Sequence, residues 1–272
     1  MSREELLEDE RLDRVNEDIV LIQKKNGLTF GTDAFLLAAY LPSSPQKYAV
    51  ELGAGTGIIS LLCAARKRFR HIDAFEVQPD FVSLATRNAE YNGMAETVSV
   101  HGADIRDVSA GTLGREADVV FSNPPYMRTD SGRRNDSDYK YIARHEVCGN
   151  IGDFCAAAYR LLRYGGSFYC VFRPDRLGEL MAAMQANGLA LKQMTFVHAD
   201  SRSEPSMVLV GAVKGGSIVG VRVTEPLLLY REGDRKTLSD RAQHIYDTMS
   251  FSQEKSEKTK KGEGKWNTSN GF

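Results

Sequence analysis

The sequence of 272 residues contains few cysteines and almost no net charge. Its cysteines form no Cys-x-x-Cys pair, which excludes common zinc and dithiol motifs and predicts buried thiols in a reducing compartment. The four cysteines are Cys63, Cys148, Cys155 and Cys170. The formal net charge is −1, so no global positive field indicates binding to duplex DNA. An RNA enzyme with a local basic patch and a protein-modifying enzyme both stay open.

Long apolar runs are also missing. No segment approaches the roughly 20 apolar residues of a membrane span, and the acidic N-terminus lacks the apolar core of a secretory signal. We therefore expect a cytoplasmic protein that contacts no membrane, holds no metal and is a monomer. At 42% hydrophobic and 26% charged residues, the chain is long enough to bury one sizeable core without disulfides.

Strand and helix patterns alternate through the middle of the chain. The predicted strands are 48–52, 72–77, 97–101, 118–122, 167–172, 191–197 and 207–213. The predicted helices between them are 58–67, 80–91, 151–163 and 176–186. The last two strands are joined by a short link without helical periodicity, which predicts an antiparallel terminal pair. Together these patterns predict an α/β, Rossmann-like fold with a mostly parallel, seven-stranded sheet covered on both faces.

The two ends of the chain have a different character. Residues 1–46 are expected to form a charged arm, a hairpin in which the apolar runs 19–23 and 28–30 flank Lys-Lys-Asn-Gly, and a helix capped by Thr32 that ends at Tyr40. Residues 47–250 are expected to form the main domain. From 251 to 272 the composition turns to Ser, Lys, Glu, Gly and Asn, which predicts a disordered basic tail.

Glycine is concentrated directly after the first strand of the main domain, as Gly53, Gly55 and Gly57. Glycines between a strand and a helix allow a tight turn with positive φ and bring backbone N–H groups close to a ligand. The nicotinamide fingerprint needs its third glycine at position 58, where this chain has Ile58. The spacing instead favours a nucleoside that carries an amino-acid tail and no pyrophosphate.

Carboxylates follow the next two predicted strands. Glu76 is positioned to accept hydrogen bonds from both hydroxyls of a ribose, and Asp104 lies where an adenine amino group would be. Acidic residues and glycines at three successive strand ends predict a nucleoside cofactor site. Its candidate residues in this region are Glu51, Gly53, Ala54, Gly55, Gly57, Glu76, Val77, Asp104, Ile105 and Asn123.

The sequence Asn123-Pro124-Pro125-Tyr126 follows the fourth strand and supplies the candidate catalytic residues. An exocyclic amine is a poor nucleophile because its lone pair is delocalised into the ring. The Asn123 side-chain oxygen and the Pro124 carbonyl are positioned to accept its two hydrogens and so favour tetrahedral geometry. Pro124 and Pro125 stiffen the turn, and Tyr126 offers a face on which a base can stack, worth roughly 1–3 kcal/mol.

Together these features resemble the class I S-adenosylmethionine-dependent methyltransferases over about residues 48–213. The tetrapeptide resembles the (Asp/Asn)-Pro-Pro-(Tyr/Phe) signature of amino-methyltransferases, which act on adenine N6, cytosine N4, guanine N2 or the amide of glutamine. The resemblance implies S-adenosyl-L-methionine as the cofactor. A protein glutamine-N5 methyltransferase and an rRNA guanine-N2 methyltransferase therefore stay open, as does a cofactor-binding RNA assembly factor without catalysis.

The region before the first strand narrows the choice. DNA adenine methyltransferases usually add a long target-recognition domain, and the release-factor enzymes add a helical N-terminal domain, but only 47 residues precede this strand. Segments 12–14, 17–19, 22–24 and 30–38 resemble the start of the bacterial tRNA(adenine-N6)-methyltransferase family that modifies the adenosine beside the anticodon of a valine tRNA. The resemblance implies that Phe30, Gly31, Thr32 and Asp33 close over the methionine end of the cofactor.

A tRNA substrate requires positive charge near the acceptor motif. The loop after Tyr126 supplies candidate contacts, and Asp130, Asp136 and Asp138 offset part of their charge. The candidate contacts are Arg128, Arg133, Arg134 and Lys140, together with lysines of the C-terminal tail. We expect these groups to bind tRNA phosphates, and an anticodon-loop adenosine costs little to extrude because it is already partly unstacked.

Overall fold

A computed structural model of the chain describes residues 6–25, 31–125 and 149–251. Two hairpins lie outside the main sheet, namely β1 (Glu10–Arg14) with β2 (Val20–Lys24) and β12 (Tyr230–Arg231) with β13 (Asp234–Leu238). The main sheet contains β3 (Tyr48–Leu52), β4 (His71–Glu76), β5 (Val98–Gly102), β6 (Ala117–Ser122), β7 (Leu162–Phe172), β8 (Leu189–His198), β9 (Pro205–Lys214), β10 (Arg222–Val223) and β11 (Leu227–Leu228). The described helices are α1 (Thr32–Tyr40), α2 (Ile58–Ala65), α3 (Pro79–Tyr91), the single turn α4 (Ala110–Leu113), α5 (Ile151–Leu161), α6 (Leu177–Ala186) and α7 (Asp240–Thr248).

Strand β3 lies inside the sheet and pairs in parallel with β4 on one side and β6 on the other. The neighbouring strands follow the order β5-β4-β3-β6-β7-β9-β8-β10, and β9 runs antiparallel to both of its neighbours. This confirms the predicted α/β class and its mostly parallel sheet of seven strands, to which β10 and β11 add a short edge. Because the strand order reverses beside β3, a crevice is expected at the carboxyl ends of the strands there.

Helices cover both faces of the sheet. On one face Leu36, Leu61 and Ile245, from α1, α2 and α7, are fully buried. On the other face Phe154 and Leu180, from α5 and α6, are fully buried. Burial of one such side chain contributes roughly 1.5–3 kcal/mol. With both faces covered in this way, a ligand reaches the sheet through the loops that follow its strands.

The N-terminal hairpin differs from the prediction. Strand β2 pairs with β1, a segment expected to be part of a charged arm, while residues 26–30 lie outside the described part of the chain. The charged sequence of β1 does not predict a strand. One of its acids, Glu10, is nevertheless buried, because Arg87 of α3 binds it at 2.8 Å. The expected Thr32 cap is also wrong, since the N-cap of α1 is Gly31 and Thr32 is the first helical residue.

Two further differences concern the second half of the chain. The helix predicted to reach residue 163 ends at Leu161, and β7 begins at once and contains Gly166. A Cβ at Gly166 would come within 2.9 Å of the Arg163 carbonyl oxygen, so this glycine serves a close backbone contact inside a strand and not a helix end. Residues 222–248, where no strand or helix was predicted, form β10 to β13 and α7.

The buried side-chain amide of Asn88, on α3, joins the hairpin to the turn that follows β3. Its Oδ1 accepts from the Ile22 backbone N–H at 2.7 Å, and its Nδ2 donates to the carbonyls of Ile22 at 3.2 Å and Thr56 at 3.0 Å. One turn later, at the C-cap of α3, the half-buried Asn92 binds the N–H and carbonyl of Val20 at 2.9 and 2.8 Å. Asn88 therefore ties three separate segments together, whereas Asn92 ties the hairpin to its own helix.

We expect Asn88→Ala to lower the free energy of unfolding by about 2–3 kcal/mol, because it leaves the buried N–H and carbonyl of Ile22 without partners and also removes the hydrogen bond to the half-buried Thr56 carbonyl. Asn92→Ala is the matched control, on the same helix and against the same strand, and we expect about 1 kcal/mol because its site is partly open to water. Urea unfolding at equilibrium measures both changes. Equal losses for the two variants would contradict the linking role of Asn88.

Buried Glu51, on β3, fixes the start of α2. Its carboxyl accepts from the backbone N–H of Ser60 at 3.1 Å and also from the Ser60 hydroxyl. Burial raises the pKa of Glu51 to about 8, and the nearby negative charge of Glu76 adds to the increase. At neutral pH this side chain is therefore mainly a neutral acid that holds β3 and α2 together on either side of the glycine turn.

The raised pKa of Glu51 predicts a pH-dependent stability. Between about pH 4.5 and about 8 the folded chain keeps a proton that the unfolded chain releases, so the free energy of unfolding falls as pH rises through this window. Glu51→Gln keeps an acceptor for Ser60 and cannot ionise, so its unfolding free energy should fall less steeply. Urea titrations of parent and variant across the window measure the two slopes. Parallel slopes would show that Glu51 is already ionised in the folded chain.

Candidate active site

A cleft of about 270 Å³ opens at the carboxyl ends of β3, β4, β5 and β6. Twelve residues expected from the sequence line it, namely Gly31, Asp33, Glu51, Gly53, Ala54, Gly55, Glu76, Val77, Asp104, Ile105, Asn123 and Pro125. The two predicted halves of the site, one after β3 and one after β6, therefore face one space. Thr32, Gly57 and Pro124 do not line this cleft, and Phe30 and Tyr126 lie outside the described residues.

The turn after β3 has the conformation that its glycines predict. Gly55 has φ +56°, and a Cβ built on it would meet no atom within 4 Å, so open space lies beside the turn. Gly57 has φ +81° and is the N-cap of α2. A Cβ there would lie 3.3 Å from the Cβ of Ala85, so Gly57 lets α2 approach α3 and does not line the cleft.

Glu76 joins this turn to the end of β4. Its Oε2 accepts from the Gly55 N–H at 2.9 Å, and its Oε1 accepts from the N–H groups of Val77 and Gln78, also at 2.9 Å. These bonds hold a buried carboxylate at the wall of the cleft. A carboxylate has about four lone-pair positions, so it is able to accept a further hydroxyl donor.

Asp104 follows β5 and is held by Arg106. The Arg106 backbone N–H and Nε each donate to Asp104 Oδ1 at 2.9 Å. The hydrogen bond from the Arg106 side chain is the main reason that the pKa of Asp104 lies below its ordinary value. Asp104 is therefore an ionised acceptor at neutral pH, which suits an amino group as its partner.

The lining of the cleft is acidic. Four carboxyl side chains contribute to it, from Asp33, Glu51, Glu76 and Asp104, and no lysine, arginine or histidine is among its described lining residues. Of these four, Glu51 is mainly neutral at neutral pH and Asp104 is paired with Arg106, so Asp33 and Glu76 supply most of the negative charge. Such a wall favours a ligand that carries positive charge and disfavours a pyrophosphate. Open space beside Gly55, acceptors for hydroxyl and amino groups, and this charge all fit a nucleoside cofactor with a cationic tail.

Asn123 brings the acceptor motif to the same space. Just before it, the Ser122 hydroxyl donates to the Leu52 carbonyl at 2.7 Å and so joins the ends of β6 and β3. The Asn123 Nδ2 donates to Asp33 Oδ2 at 3.0 Å, which links the loop after β6 to the first turn of α1. The side-chain amide therefore has a defined orientation at the edge of the cleft.

Seven lining residues were not predicted from the sequence, namely Ala34, Thr56, Ile58, Ile59, Gln78, Phe81 and Phe154. Most of them are apolar, and nothing in the sequence separates them from core residues. Position is the only signal that identifies some of them. Ile58 and Ile59 open the helix directly after the glycine turn, and Gln78 follows Glu76-Val77.

A second cleft, of about 720 Å³, lies beside the first and shares Asp33 with it. Its other lining residues come from the end of β7 and the start of β9 and include Arg173, Glu204 and Ser206.

The basic groups proposed to contact RNA, namely Arg128, Arg133, Arg134, Lys140 and the tail lysines, lie outside the described residues. Over the described ranges, no cluster of three His, Cys, Asp or Glu side chains is arranged to hold a metal. No described helix is both long and apolar enough to cross a bilayer.

Comparison with known proteins agrees with this architecture. A predicted O-methyltransferase from Agrobacterium tumefaciens superposes with a TM-score of 0.64 at 20% identity, over 80% of this chain and 97% of its own. TYW2 from Pyrococcus horikoshii, solved in complex with MeSAdo, superposes with a TM-score of 0.54 at 15% identity, over 77% and 73%. These similarities show the fold.

Sequence comparison identifies the family. Two curated relatives are each named tRNA1(Val) (adenine(37)-N6)-methyltransferase. The protein from Phocaeicola vulgatus is 33% identical over 66% of this chain and 74% of its own, and that from Cronobacter sakazakii is 28% identical over 69% and 81%. The model of the methyltransferase small domain family matches residues 25–187. The chain therefore belongs to the methyltransferase small domain family.

Proposed function

We propose that this chain uses S-adenosyl-L-methionine to methylate N6 of adenosine 37 in tRNA1(Val). The observation that carries the proposal is the joint position of Asn123 and the acidic cofactor residues around one cleft. The activity for which the curated relatives are named supports the choice of nitrogen and of RNA. An enzyme with this substrate acts in the cytoplasm, where tRNA is present.

The cofactor residues bind and orient the donor. Bound S-adenosylmethionine supplies an electrophilic methyl group on a positively charged sulfonium. Glu76 accepts from one ribose hydroxyl through its remaining lone-pair position, Asp104 accepts from the adenine amino group, and the turn from Gly53 to Gly57 leaves room for the amino-acid tail. The acidic wall attracts the positively charged sulfonium and ammonium groups of the cofactor.

The acceptor residues prepare the amine for attack. The Asn123 Oδ1 and the Pro124 carbonyl accept from the two N6 hydrogens, which draws the nitrogen towards tetrahedral geometry and frees its lone pair. Tyr126 stacks on the base, a contact worth roughly 1–3 kcal/mol. No residue has to remove a proton before attack, because the methylated nitrogen is acidic and releases its proton afterwards. Positioning therefore supplies most of the rate increase.

The tRNA itself is held outside the cleft. We assign phosphate contacts to Arg128, Arg133, Arg134, Lys140 and the basic C-terminal tail. Salt weakens such contacts strongly, so we expect the KM for tRNA to rise with ionic strength while the Kd for the cofactor changes little.

Label transfer from methyl-labelled cofactor tests the proposed substrate. The purified full chain is offered total tRNA, ribosomal RNA and a release factor in separate reactions, and labelled nucleosides are identified by mass spectrometry. We expect N6-methyladenosine at one position of one tRNA. Label in release-factor glutamine or in rRNA guanine would replace the tRNA assignment, and label in none of them would favour an assembly factor that binds the cofactor without catalysis.

The role of Asn123 predicts a separation of binding from turnover. We expect Asn123→Ala to lower kcat by about 100-fold or more, by analogy with loss of one oriented polar group at a reacting centre, and to leave the Kd for the cofactor within about threefold. Single-turnover kinetics and calorimetry measure the two quantities. Asn187→Ala removes a half-buried side-chain amide at the C-cap of α6, so it is the matched control and should keep kcat. Near-normal turnover of Asn123→Ala would refute the assigned role.

A further inference from the structure

We propose that Asp33 is a positioning residue for the acceptor amine, because its carboxylate holds the side-chain amide of Asn123 with Oδ1 turned towards the substrate. The contact that carries this inference is the hydrogen bond of 3.0 Å from Asn123 Nδ2 to Asp33 Oδ2. The inference rests on the proposed function, since it gives Asp33 a task in amine recognition in addition to any contact with the cofactor.

The chemistry of a primary amide makes such a partner necessary. Rotation of the Asn123 amide by half a turn exchanges an acceptor oxygen for an NH₂ donor of nearly the same shape. In the wrong orientation the NH₂ group would face the N6 hydrogens, donor against donor, and the amine would lose its acceptor. An ionised carboxylate accepts and never donates, so Asp33 is compatible with one of the two orientations only.

Asp33 is itself held firmly. It lies in the first turn of α1, whose next seven residues, 34–40, are all buried. Its second carboxylate oxygen, Oδ1, accepts from the Ala34 backbone N–H at 2.9 Å. A negative charge at this end of a helix is also stabilised by the helix dipole. The orientation of the Asn123 amide is therefore fixed by a residue of the buried helix α1 and not by the glycine turn after β3.

Gly31 provides an independent observation. Its φ of −103° is open to any residue, so backbone conformation does not explain a glycine here. A Cβ at Gly31 would instead lie 2.6 Å from Asp33 Oδ1. The space that glycine leaves is the space that the Asp33 carboxylate occupies while it binds Asn123. Because the obstructed atom is the end of a side chain, Gly31→Ala should displace the carboxylate without disturbing the fold.

The carboxylate also strengthens the acceptor. A hydrogen bond from Nδ2 to a negative charge polarises the amide and increases the negative charge on its oxygen, as in other hydrogen-bonded chains. The amine gains positive character as its nitrogen attacks, so an oxygen polarised in this way binds it more strongly at that stage than before. The expected loss on removal of Asp33 is therefore in kcat and not in the KM for tRNA.

Four variants test the positioning role through kinetics. Asp33→Ala should lower kcat about 10- to 100-fold, and Gly31→Ala should lower it less. Asp33→Asn should recover only part of the loss, because its one oxygen cannot accept from both the Ala34 N–H and Asn123. In the double variant Asp33→Ala/Asn123→Ala the loss should equal that of Asn123→Ala alone, because the first residue acts through the second. Additive losses, or an increase in the cofactor Kd shared by Asp33→Ala and Asp33→Asn, would overturn the inference and assign Asp33 to the cofactor.

A measurement without tRNA keeps this test separate from that of the proposed function. The side-chain NH₂ signals of Asn123 are assigned in a ¹⁵N–¹H NMR spectrum by their loss in Asn123→Ala. We expect them to shift and to exchange faster with water in Asp33→Ala. Unchanged signals in Asp33→Ala would refute the inference, whereas an absence of tRNA methylation by the parent chain would refute the proposed function alone.

Discussion

Parallel pairing of β3 with both β4 and β6 is the constraint on which the whole site depends. Parallel strands end at the same edge, so the loops after β3, β4, β5 and β6 meet there without long connections. Leu52 and Ser122 are register partners, and a hydrogen bond from the Ser122 hydroxyl to the Leu52 carbonyl closes the gap between them. The glycine turn and the acceptor motif each begin at the next residue. A donor and an acceptor that bind these two loops are consequently brought together by the sheet itself.

The strands β3 to β9 were predictable because their signals are local. Each contains a short apolar run, and β3 ends where a glycine turn begins, so periodicity and composition agree over a few residues. The hairpin partner of β2 was not predictable. Its strand, Glu10–Arg14, is charged, and the partner that makes burial of Glu10 favourable is Arg87, on a helix 77 residues later. The β12–β13 hairpin was missed for a related reason, since its residues are mostly exposed and give no apolar alternation.

The candidate site divides in the same way. Its polar members, such as Glu76 and Asp104, were predictable because they stand at strand ends, where a parallel sheet presents side chains to a ligand. Its apolar members were not predictable, because the sequence does not distinguish residues such as Ile58 and Phe154 from residues of the hydrophobic core. No feature of the sequence predicts the hydrogen bond between Asp33 and Asn123. The two residues are separated by 90 positions, and only the folded chain shows that an acid at a helix start faces an amide at a strand end.

The three hydrogen bonds of Asn88 have a consequence for how the chain is made. Synthesis proceeds from the N-terminus at about 5–20 residues per second, so the backbone of Ile22 leaves the ribosome several seconds before the amide 66 residues later that satisfies it. Until then this edge strand has an exposed row of donors and acceptors, a form that invites contact with other nascent chains. Arrival of α3 covers the edge and, through the Thr56 carbonyl, also restrains the glycine turn. The same docking of α3 therefore protects the edge of the nascent hairpin and restrains the glycine turn.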